Sequence, residues 1–284
     1  MVAKSDRILT THTGSLPRPK DLIPMLYARD RGEAYDEVKI AERTHAAVSE
    51  LVARQREVGI DVVNDGEAGK VLYSTYVQDR LTGYTGTAPA PQFPSLEAQE
   101  FPEFYERLMA DFKDSRARIA ACEGPVTYRG FSALSDDLAN LKDAIKALGK
   151  LDEVPAGVFI SAASPGIIAT YLPDQYYGDD EKYVNAIAAA MKTEYDAIHY
   201  AGFILQLDCP DLAFEYTKVL ASGRGLSEFR AMVEYRVAAL NEATRDIPAD
   251  RMRMHICWGN GATPHHYDVP LKDIVDLILE ARPA

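Results

Sequence analysis

His255 and Cys257 stand two positions apart at the end of a short apolar run, residues 253–257. In a strand, residues two apart project from the same face. An imidazole and a thiol would therefore point together, and nitrogen with thiolate is the donor pair that zinc takes. Two donors do not make a site, and a buried cysteine beside a hydrogen-bonded histidine accounts for so short a motif equally well. Two carboxylates close other apolar runs: Glu67 in Asp65-Gly66-Glu67 after residues 60–64, and Asp208 in Gln206-Leu207-Asp208-Cys209-Pro210 after residues 203–207. Carboxylates at such ends can hold a substrate ammonium group. For Asp65 and Glu67 the competing role is to cap a following helix. For Asp208, an acid closing an apolar strand is costly unless it is paired or functional. Thr13-Gly14-Ser15 offers a close backbone approach and a hydroxyl, or simply a tight turn. Cys209 is expected to face away from Asp208, and Cys122 to pack in the core or near the site. His265-His266-Tyr267-Asp268 lies in a loop that could touch a ligand or be plain solvated surface.

These residues need strands to hold them. Six β-like runs, at residues 7–12, 60–64, 117–122, 157–161, 203–207 and 253–257, alternate with helical periodicity over 36–58, 181–201, 226–244 and 271–279. Ser227 with Glu228 reads as the capped start of the third of these helices. Strand–helix alternation implies a parallel sheet covered by helices. Runs that end in Gly, Pro and polar residues resemble the functional rim of a β/α barrel, with a doubly wound open sheet as the competing arrangement. Residues 81–101, rich in Gly, Pro, Thr and Ala, are expected to form a long loop or lid. The whole chain, 1–284, is expected to be one domain. A closed (β/α)8 barrel needs eight units, so six imply a barrel truncated after its sixth unit.

The composition is 47% hydrophobic and 26% charged, with a formal net charge of −12. An acidic chain repels phosphate backbones and anionic lipid surfaces, which speaks against nucleic acid and membrane partners. The N-terminus has no apolar signal core, and three scattered cysteines form no disulfide framework. A cytoplasmic, reduced protein is the expectation, and oligomeric state is not legible.

Taken in order, Thr10-Thr11-His12-Thr13-Gly14-Ser15-Leu16-Pro17-Arg18, Asp65-Gly66-Glu67, Gly124-Pro125-Val126-Thr127, Leu205-Gln206-Leu207-Asp208-Cys209-Pro210-Asp211-Leu212-Ala213 and Met254-His255-Ile256-Cys257 resemble the catalytic domain of cobalamin-independent methionine synthase, in its short single-barrel form. The resemblance implies a TIM barrel of the methionine synthase/uroporphyrinogen decarboxylase-like type. It implies a zinc-dependent methyltransferase that moves a methyl group from a methylated folate to homocysteine, giving methionine. By motif match, His255 and Cys257 are two Zn²⁺ ligands. Ser15, Glu67 and Asp208 hold the amino-acid part of homocysteine, Asp208 also being the catalytic carboxylate. The family's remaining ligands, a glutamate and a second cysteine, have no counterpart in this chain. Position 209 is Cys where the longer enzyme has Glu, and position 65 is Asp where it has His. Two alternatives follow: a zinc-dependent alkyltransferase of the epoxyalkane–coenzyme M type, joining another thiol and electrophile, or a non-catalytic truncated barrel.

Overall fold

The computed structural model describes residues 6–73, 76–89, 96–110, 118–149, 157–260 and 264–283. Helices α1 (Leu22–Asp30) and α2 (Glu37–Glu57) precede strand β1 (Val62–Asn64). An excursion follows, through β2 (Gly86–Pro89), α3 (Leu96–Glu100), α4 (Pro102–Ala110) and β3 (Arg118–Ala121), before α5 (Phe131–Ala147). Then come β4 (Gly157–Ala163), α6 (Pro165–Tyr171), α7 (Asp180–Tyr200), β5 (Ile204–Asp208), α8 (Tyr216–Ala221), α9 (Leu226–Ala243), β6 (Met252–His255) and α10 (Val275–Ile278).

The helices form where apolar spacing and caps coincide. Asp36 and Asp179 accept the backbone N–H of Lys39 (3.1 Å) and Lys182 (2.9 Å), capping α2 and α7. Helix α7 buries Val184, Ile187, Met191, Tyr195 and Ile198 along one stripe. Helix α9 starts earlier than Ser227 suggested. Its N-cap is Gly225, whose N–H is taken by the Glu228 side chain at 3.1 Å, and Ser227 donates to that carboxylate instead.

Four strands form a parallel sheet in the order β1-β4-β5-β6, and Thr11 extends it by a single parallel bridge to Val62. The run at 7–12 is thus reduced to one bridge. The run at 117–122 is a correction of kind: β3 pairs antiparallel with β2, outside the parallel sheet, and β1 pairs directly with β4. The expected loop at 81–101 accordingly holds a strand and a helix, β2 and α3; its residues 90–95 lie outside the described set. Among the described residues the sheet is open. The architecture is mixed α/β with a parallel sheet, which the described residues do not close into a barrel.

The sheet has two unlike faces. One packs on the helices through Val63, Ile160, Ala162, Leu205, Leu207 and Met252, in the main core. Met254, Ile256 and Trp258 pack on this core too, as alternation predicts. The other face carries a small apolar layer of Val62, Phe159 and Ile204 with Leu9 against it. Above that layer, toward the C-terminal strand ends, the same face turns polar. Among the described residues no helix is long and apolar enough to cross a membrane.

Candidate functional site

The polar end of this face gathers Ser161 on β4, Gln206 and Asp208 on β5, and Arg253 and His255 on β6. Register places Ala163 beside Asp208 and Asp208 beside His255. The loops after Thr11 and β1 close over them. Gln206 is the hub: its amide nitrogen donates to Asp208 Oδ1 (2.7 Å) and Ser161 Oγ (3.2 Å) and to the Thr13 carbonyl. Its carbonyl oxygen accepts from Arg253 Nε at 2.7 Å. Arg253 lies over the Phe159 ring, 3.5 Å from its centroid, and reaches Thr11 Oγ1 and the His12 carbonyl, each at 3.2 Å.

Glu67 enters from a constrained turn. Gly66 and Glu67 both have left-handed backbones (φ 64° and 55°), routine for glycine and rare for glutamate. The turn is held by side chains: Asn64 Oδ1 accepts the Gly66 N–H (2.9 Å) and Asp65 Oδ1 the Glu67 N–H (3.0 Å). Arg18 donates to the Glu67 carbonyl at 3.2 Å. Asn64 Nδ2 donates to the Gly14 carbonyl at 3.0 Å, so the two loops are knit together. Ser15 Oγ donates to Glu67 Oε2. A methyl group on Gly14 would sit 2.6 Å from Glu67 Oε1, so only glycine permits this approach. No helix follows directly, so Asp65 and Glu67 do not cap one. Lys70, 5% exposed, reaches from the same turn to the Ser161 carbonyl (2.7 Å).

The electrostatics are dominated by buried acid. Glu67 is 2% and Asp208 5% exposed, and among the described residues neither has an ion-pair partner. Burial, and then the nearby Glu67 carboxylate, push the Asp208 carboxyl up to about 7, against the Gln206 hydrogen bond and the more distant charges of Lys70 and Arg253. Burial likewise raises Asp65 to about 6, against the opposing pull of Lys70. Burial and the Arg253 charge lower the pKa of His255 and favour its neutral imidazole. The Cys257 thiol lies just past β6, its sulfur accepting the Gly259 N–H at 3.3 Å.

All five residues predicted from the sequence thus lie on one rim: Ser15, Glu67, Asp208, His255 and Cys257. Ser15 and Glu67 are hydrogen-bonded, Glu67 lies within electrostatic reach of Asp208 and His255, and Asp208 is in register with His255. Cys209 is fully buried with its thiol toward the Leu207 carbonyl, away from the rim. Cys122 is buried in the main core just past β3, as its core reading expected. His265 pairs with Asp268 (3.0 Å) and His266 with Glu100 of α3 (2.6 Å), so this loop joins the excursion. The sequence reading missed Ser161, Gln206, Arg253 and Lys70. Gln206 and Arg253 each stand two positions before a chosen residue, which period-two alternation could have flagged. Lys70 carried no local signal.

The donors His255 and Cys257 are of the chemistry zinc prefers, but their number falls short. Among the described residues no group of three or more His, Cys, Asp and Glu side chains is placed to hold a metal. The described residues do not complete a zinc site.

No family model matches the chain. It is 28% identical over 282 residues to an uncharacterized protein, YxjH, of Bacillus subtilis, covering 93% of this chain and 66% of that one. It is 23% identical over 253 residues to a methionine synthase of Pyrococcus furiosus, covering 88% and 62%. A solved B12-independent methionine synthase from Shewanella sp. W3-18-1, in complex with selenomethionine, superposes with a TM-score of 0.61 at 18% identity, over 89% of this chain and 62% of that one. The chain has the fold of that structure and spans about two thirds of the length of the relatives it matches.

Proposed function

We propose that this rim binds an amino acid with a sulfur-bearing side chain, and that the chain is a methyltransferase that forms methionine from homocysteine with a methylated folate-type donor. The observation that carries this reading is the pair Glu67 and Asp208. Two buried carboxylates close enough to repel each other, with no cation paired to either among the described residues, call for a positive group from outside. An α-ammonium group supplies it, and Ser15 offers a hydroxyl beside Glu67. The selenomethionine in a solved structure of the same fold is the kind of ligand this arrangement suits.

In this reading Asp208 takes the ammonium of the substrate, and that charge draws its proton off near neutral pH. Gln206 fixes the carboxylate's orientation through Oδ1. Glu67 provides the second wall of the ammonium site, held in place by Gly14 and Ser15. The neutral His255 imidazole and Cys257 thiol stand at the sulfur end as two donors of a zinc site they do not complete, so no chemical step is drawn through the metal. The β/α-barrel type of fold, the folate-type donor and cytoplasmic residence belong to this same proposal.

The test is calorimetric titration of the 284-residue chain with L-methionine and with its des-amino analogue, on wild type, Glu67→Gln and Asp208→Asn. Expected is binding of methionine only, weakened roughly tenfold or more in each variant, since one buried charged contact contributes about 1.5–3 kcal/mol. Equal binding of the des-amino analogue would sink the ammonium site and favour a thiol of another class. Methyl transfer from methyltetrahydropteroylglutamate to homocysteine is then the assay of turnover.

A further inference from the structure

Three aromatic residues from three different loops meet beside this site. Tyr73 lies on the loop that follows Glu67, Tyr171 ends α6 after β4, and Phe214 lies in the loop after β5. The Tyr73 and Tyr171 hydroxyls lie within interaction range of each other. The Tyr171 ring stacks on Phe214 with centroids 6.4 Å apart and planes at 29°. All three are partly buried and pack on the main core, so the aromatic wall they form is not sealed within it. Tyr73 lies within electrostatic reach of both Asp208 and Cys257, and Tyr171 of Cys257. Burial raises the pKa of both phenols, so they act as neutral hydroxyls and polarizable ring faces, not as acids or bases near pH 7.

We infer that Tyr73 and Tyr171, backed by Phe214, position and select the side chain of the amino-acid ligand, lying along the line from the carboxylate end at Asp208 to the sulfur end at Cys257. The inference rests on the reading of the rim as an amino-acid site and adds to it a determinant of side-chain specificity. Its physical basis is the favourable contact of a thioether sulfur with an aromatic ring, which a methylene of the same shape makes less well.

The test compares L-methionine with L-norleucine, which replaces sulfur by a methylene group, by calorimetry on wild type, Tyr73→Phe, Tyr73→Leu, Tyr171→Leu and Asp208→Asn. Wild type should prefer methionine by roughly three- to tenfold, the range a sulfur–aromatic contact supports. Tyr73→Leu and Tyr171→Leu should lose most of that preference by weakening methionine while norleucine changes little. Tyr73→Phe, which keeps the ring, should retain it and guards against a folding artefact, as does circular dichroism of the two leucine variants. A wild type without preference, or folded leucine variants that keep it while Asp208→Asn loses both ligands, would overturn the wall alone. A wild type that binds neither ligand, or an Asp208→Asn chain that binds both as well as wild type, would remove the amino-acid site itself and the wall with it.

Discussion

Glu67 shows what a single residue gives up for a site. A left-handed backbone at a non-glycine residue costs about 1–2 kcal/mol, and here it aims a carboxylate at a neighbour of like charge. Replacing Glu67 by glycine should therefore leave urea stability unchanged or raise it by about 1 kcal/mol, while methionine binding is lost. A clear loss of stability would mean that the Ser15 contact outweighs the strain. Asp65 makes a second prediction. Its folded pKa is raised to about 6 by burial, so the protonated form favours the fold. That contribution is complete below about pH 4, the ordinary carboxylate value, and is lost as pH rises through about 6. Asparagine at this position can still accept the Glu67 N–H but never charges. Asp65→Asn should match wild type near pH 4 and exceed it by about 2–3 kcal/mol at pH 8, read from thermal or urea melts. Equal pH profiles would show that Lys70 already neutralises the carboxylate.

At the scale of elements, strand ends were legible and strand partners were not. Period-two alternation sets Arg253 and His255 on one face of β6 and Met254 on the other, because alternation is a property of the backbone alone, whereas the adjacency of His255 to Asp208 follows from the pairing register. The helix stripes of α2, α7 and α9 were equally local. What escaped was which run pairs with which: residues 118–121 have the length and composition of a parallel strand, yet an antiparallel partner captures them from the far side of α3 and α4, Ala121 pairing with Gly86. Lys70 escaped for a related reason, since its partner, the Ser161 carbonyl, is 91 positions away. That bond ties the Glu67 turn to β4, with Tyr76 flanking the ammonium at 4.3 Å. Lys70→Met would leave a buried carbonyl unpaired and should cost about 1–3 kcal/mol, with Lys70→Arg milder, as measured by urea unfolding. The end of β6 yields the metal prediction. Two donors hold zinc far more weakly than three or four, so after dialysis the chain should retain well under one zinc per molecule. Retention near one, lost in a His255→Ala/Cys257→Ala double variant, would show that further donors join these two.

The whole molecule is a sheet of uneven depth. β5 is buried along its entire length, and β4 is buried from Phe159 onward, the two paired over five positions. β6 is half-buried beyond Met252 and, among the described residues, is paired on one side only. β1 contributes three residues and Thr11 a single bridge. Local opening follows burial and pairing, because exposed hydrogen bonds can break without disturbing the core. Native-state hydrogen exchange should therefore find the slowest amides in β5, β4 and the buried stripe of α7. β6 and the Thr11 segment should exchange through smaller openings, and since His255 sits on β6, the sulfur end of the rim should be more mobile than the ammonium end. Addition of L-methionine should slow exchange first in β6 and in the Gly66–Glu67 turn, the parts that gain most from a shared ligand. If β6 proves as protected as β5 in the free chain, its outer edge is covered in solution. Protection that then falls on dilution would identify a second copy of the chain as the cover, since an unpaired strand edge is a ready template for association.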